Sequence, residues 1–65
     1  MISTKEMRNS EGKHVRITFK DGTVWEKEYC ACYHQAEDED EEPGLEIGEH
    51  WYVNQSEIEK LEILD

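Results

Sequence analysis

No stretch of this chain approaches the roughly 18 consecutive apolar residues that a membrane-crossing helix needs. Met1 to Gly12 likewise holds no apolar run resembling a secretory leader. The expected protein is cytoplasmic, with no membrane contact. Cysteine is scarce: Cys30 and Cys32 are the only two, and in a strand their Cα atoms stand about 6.6 Å apart, at the upper limit for a disulfide. They are read as reduced thiols. Positive charge is scarce as well, because seven Lys and Arg face seventeen Asp and Glu, a formal net charge of −10. That balance repels phosphate backbones, so nucleic acid is not an expected partner.

What is present fits one domain of residues 1–65. A chain this short buries only about 60% of the surface its unfolded form exposes, so its core is small. Hydrophobic residues make up 35% and charged residues 37%. Two Trp, three Tyr and one Phe nevertheless supply bulky apolar groups, which argues against a disordered chain. Small scaffolds commonly gain stability from partners, and a homo-oligomer is expected.

Ser3 to Glu6 spells the S-x-x-E capping box, with Gly12 placed to end the turn, and predicts a short helix over 3–11. From Lys13 to Lys20 the chain alternates strictly, with Val15, Ile17 and Phe19 on one face, the mark of a half-buried strand. Asp21-Gly22 follows and predicts a hairpin. The returning strand runs from Thr23 to about His34, with Trp25, Tyr29, Ala31 and Tyr33 in the inward phase and Lys27 as the exception. Such length in so small a domain predicts a sharp bend.

Residues 35–44 hold the six-acid run Glu37 to Glu42 and then Pro43-Gly44, a solvated acidic loop. Leu45 and Ile47 alternate in a short strand. Trp51, Tyr52 and Val53 form another, with Trp51 and Val53 inward. Asn54 to Glu57 predicts one turn of 3₁₀ helix, and Lys60 to Leu64 a last strand. The fold class expected is mainly β: a short helix and a five-stranded, strongly bent antiparallel barrel.

This layout resembles the Sm-like and SH3-like small barrels. Val15-x-Ile17-x-Phe19-x-Asp21-Gly22-x-x-Trp25 looks like the first half of the Sm-like leading motif, and Val53, Ile58 and Leu61 are spaced like its closing motif. The likeness covers residues 3 to 64. Lys27 stands where the family usually bends its second strand at a glycine. The family's RNA-pocket residues are missing, with Tyr33-His34 and Asn54-Gln55 in their places. The resemblance implies assembly, since Sm-like subunits join the fourth strand of one copy to the fifth of the next and so cover their sheet edges.

Cys30, Cys32 and His34 alternate along one strand, and with His50 they make a Cys₂His₂ set in principle. Alternate strand residues stand too far apart for the usual zinc knuckle, and no metal or cofactor is expected. A Cys-His nucleophile has little room for a substrate pocket in a domain this small, so no enzyme is expected. Trp25, Tyr29, Tyr33 and Trp51 read as core, Tyr52 and His14 as outward. The run Glu37, Asp38, Glu39, Asp40, Glu41 and Glu42, with Tyr52, is the candidate partner-binding surface, directed at a basic protein. It lacks the glycine bend and alternating ligands of a calcium loop.

The expected function is a non-enzymatic, oligomeric protein-interaction module. One alternative is an acidic inhibitor that mimics nucleic acid, of the kind mobile elements encode; another is residual RNA binding through an Sm-like ring.

Overall fold

A computed structural model describes residues 1–65. Strict alternation of Val15, Ile17 and Phe19 with polar neighbours builds the first strand, β1 (His14–Phe19). Ahead of it lies α1 (Thr4–Ser10), whose Ser3 hydroxyl accepts from the Glu6 amide at 3.1 Å. Only that half of the capping box forms. After Phe19 the chain reverses through Gly22 at φ +94°, a value that suits glycine. The Asp21 carboxylate accepts from the Thr23 amide at 2.9 Å, and β2 (Val24–His34) returns along β1.

Beyond the acidic loop come β3 (Gly44–Ile47), β4 (Trp51–Asn54), a 3₁₀ turn (Gln55–Glu57) and β5 (Ile58–Ile63). The last strand starts at Ile58, not Lys60, because Phe19 pairs with Ile58 and a bulge carries the ladder on to Thr18 and Lys60. All five strands join one antiparallel sheet in the order β4-β3-β2-β1-β5.

The sheet is not closed into the expected barrel, since β4 and β5 share no ladder. It must curl all the same. Five strands lying flat would hold β4 and β5 about 19 Å apart, whereas the 3₁₀ turn that links them spans only about 6 Å. The edges therefore approach at that end and remain unbonded.

β2 departs from the expected inward phase in its middle. Val15 pairs with Glu28 and Ile17 with Trp25, three steps on β2 against two on β1, which places a bulge at Glu26 and Lys27. A second bulge follows at Ala31, where Cys30 pairs with Ile47 and Cys32 with Glu46. Each extra residue exchanges the two faces and bends the strand. Trp25 and Tyr33 pack on the core as expected, but between the bulges Cys30 is buried and Tyr29 is 46% exposed. The bend expected at the glycine position is thus made by a bulge that includes Lys27.

Ile2, Met7, Val15, Ile17, Cys30, Leu45, Ile47, Val53 and Ile58 form the core. Full burial of a side chain such as Ile17 contributes about 1.5–3 kcal/mol. α1 packs on β2 and β5 and drives Met7 into the curl.

Candidate functional site

Two features of the surface follow from this topology: the open edges of the sheet and the outer face of β2, β3 and β4. At one edge Trp51 and Tyr52 of β4 are 60% and 52% exposed; at the other, Ile63 and Leu64 of β5 and its end are 38% and 44% exposed. Trp51 shares the inner face with its partner Ile47, as expected, yet it stays in solvent because no strand closes the sheet beyond it. Its ring meets Trp25 edge-on at 5.6 Å, and Trp25 meets Phe19 at 4.8 Å. These three rings run from β1 to β4 across the mouth of the curl.

The acidic loop is less uniform than its composition implies. Asp38 accepts from the Asp40 amide at 2.9 Å, and Glu41 from the Glu37 amide at 3.2 Å. Glu42 leaves the run altogether. Its carboxylate accepts from the Ser56 amide at 2.7 Å and the Ser56 hydroxyl at 3.1 Å, and so caps the 3₁₀ turn. Those bonds, the amide first, hold the Glu42 carboxyl below its ordinary pKa. Asp40, Glu41 and Glu42 share a shallow hollow with Tyr52 and Asn54, so part of the expected partner-binding set does come together. The Tyr52 ring lies directly over Gly44, where any Cβ would collide with it.

On the outer face the second bulge separates the two cysteines. Cys30 points inward, 3.6 Å from the Ser10 hydroxyl, and burial pushes its thiol pKa up. Cys32 points outward beside His34. The set Cys30, Cys32, His34 and His50 is therefore split, and its assumed common face is corrected. In place of Cys30 stands Glu46, opposite Cys32 on β3. His34 Nε2 lies 3.3 Å from Glu46 Oε2, and the donor atoms of Cys32, His34 and Glu46 all fall within 4.8 Å of one another.

Comparison with protein-family models, with curated proteins and with solved structures found no match.

His50 and Glu49, in the β3–β4 turn, line a hollow with His34, Glu46, Trp51 and Tyr52 but stand outside the three-donor cluster. The Tyr52 ring tilts against His34 at 5.7 Å. Glu46 escaped the sequence reading because its place opposite Cys32 depends on the bulge at Ala31. The legible signal was Cys-x-His at strand spacing, with a glutamate alone among the apolar residues of the next strand.

Charge is also segregated along the chain. Residues 1–27 carry six of the seven Lys and Arg, whereas residues 28–59 carry eleven acids and no Lys or Arg. α1, β1 and the start of β2 are thus mildly basic, and the rest of the sheet is strongly acidic.

Proposed function

We propose that this chain is a non-enzymatic assembly and protein-interaction module, a small curled sheet of Sm-like or SH3-like kind whose copies join edge to edge. The observation that carries the reading is the pair of unbonded edges, each with large apolar groups in solvent. Exposed edges are a template for pairing with another strand. Docking β4 of one copy on β5 of the next would cover Trp51 and Tyr52 with Ile63 and Leu64. Such a head-to-tail contact generates a ring when the rotation closes. The strand order, the helix ahead of β1 and the 3₁₀ turn before β5 support the family resemblance. The acidic half then faces outward to a basic protein partner, attracted over the distances that charge reaches.

Sedimentation equilibrium of the purified chain tests this. The wild type is expected to sediment as a discrete oligomer, and Trp51→Glu combined with Ile63→Lys as a folded monomer. A wild-type chain that stays monomeric at high concentration would sink the proposal.

A second reading, a nucleic-acid mimic, is favoured by the eleven acids gathered without a single Lys or Arg in residues 28–59. It differs in one outcome. Neutralising Glu37 to Glu41 abolishes capture of a basic target by a mimic and leaves an edge-built oligomer intact.

A further inference from the structure

We propose that the outer face of β2 and β3 holds one divalent late-transition ion, zinc in the resting protein, through Cys32 Sγ, an imidazole nitrogen of His34 and a carboxylate oxygen of Glu46. The three donors already lie within 4.8 Å of one another. Tetrahedral zinc, with bonds of about 2.0–2.3 Å, sets its ligands roughly 3.3–3.8 Å apart. Closing the difference of about 1 Å takes side-chain rotation only. The backbone is preset, because Cys32 and His34 are alternate residues of β2 and Glu46 is the cross-strand partner of Cys32.

Donor chemistry selects the ion. A thiolate with an imidazole favours zinc and its neighbours, whereas calcium and magnesium take oxygen ligands. Electrostatics agree, since no Lys or Arg lies in residues 28–59 to neutralise Glu46, and the only ion-pair partner of Glu46 is His34. The objection raised by the spacing of alternate residues applied to two short thiols, Cys30 and Cys32. It does not apply to a thiol and a longer imidazole that meet a carboxylate from the next strand. Three protein ligands leave a fourth position for water or for His50, which lines the hollow beside His34 and Glu46. Binding releases the Cys32 thiol proton to solvent. The ion would bind the folded chain and so stabilise it, stapling β2 to β3 beside the bulge at Ala31.

Cobalt titrated into the reduced full-length chain is the test. A near-ultraviolet thiolate-to-cobalt charge-transfer band is expected, saturating at one ion per chain and bleached by added zinc. Cys32→Ser should remove the band, while Cys30→Ala, whose thiol faces the core, should keep it. His34→Ala and Glu46→Gln should each weaken binding by at least the about 10–100-fold that losing even a supporting residue costs at metal sites. Zinc should also raise the melting temperature of the wild type and not that of Cys32→Ser. All three ligand positions are partly exposed, so these variants are expected to fold, as circular dichroism would verify. The absence of a band in the wild type, or an undiminished band in Cys32→Ser, overturns the proposal, and neither result bears on edge-to-edge assembly.

Discussion

β2 divides the sheet into two halves whose outer faces are built in different ways. On the β1–β5 side, Arg16 pairs with Glu26 at 3.1 Å and reaches Glu62 at 3.8 Å, and Lys60 pairs with Glu62 at 3.5 Å. Each of those carboxylates has a permanent cation beside it. On the β3–β4 side, Glu46 has no Lys or Arg beside it and faces only His34. The strands differ too: β1 and β5 have six residues each, β3 and β4 four. One half is long and internally neutralised; the other is short, acidic and furnished with unclaimed donors. A surface whose charges are already paired has little left to offer a ligand, and the second half has more.

The two halves nevertheless share one core, and the largest expected effect breaks both together. Ile17→Ala, beneath β1, should cost about 2–5 kcal/mol, a large part of the stability of so small a domain. Chemical denaturation followed by tryptophan fluorescence, which reports Trp25 and Trp51, and by far-ultraviolet circular dichroism should give coincident transitions. Separate transitions would show that the halves fold independently.

Acid should loosen the tie between the acidic loop and the 3₁₀ turn. The Glu42 carboxyl is held below its ordinary pKa by the Ser56 amide and hydroxyl, so the folded state binds that proton less readily than the unfolded chain. Its contribution is complete above the ordinary carboxylate range and is lost as the pH falls through the lower folded value. Glu42→Ala should lower the neutral-pH melting temperature by a few degrees and flatten the acid limb of the stability curve. An unchanged acid limb would assign that dependence to other carboxylates, such as Asp65, held low chiefly by the His14 amide.

The smallest effect belongs to the neutralised face. Arg16 and Glu26 reach into solvent and Glu62 is half-buried, so Arg16→Ala should cost less than about 1 kcal/mol, and less still in high salt. A larger loss in urea titrations would mean that this face also holds the sheet together.

The legible parts of the fold were those that local chemistry decides. β1 could be read from Val15, Ile17 and Phe19, and the hairpin from Asp21-Gly22, because alternation and turn geometry act over a few residues. The middle of β2 could not, since a bulge at Glu26 and Lys27 leaves no composition signature and reverses the faces that alternation assigns. Tyr29 and Cys30 were exchanged for that reason alone. Trp51 had the right direction and the wrong surroundings, because whether a curled sheet closes depends on its edges. The partner of the outward Cys32-x-His34 pair was hidden in the same way, for Glu46 enters only through the register of β3. Glu42 was grouped with its five acidic neighbours, although its bonds to Ser56 set it apart.

The paired bulges of β2 also impose an arithmetic on the chain. Each one shifts the alternation by a single place, and together they cancel, so Trp25 before them and Tyr33 after them point the same way. Substitutions between these two residues change only what is packed or displayed there. Deleting a bulge residue such as Ala31 would leave the remaining pairs facing as they do and take out the bend it makes, so the length of this segment sets the curl of the sheet.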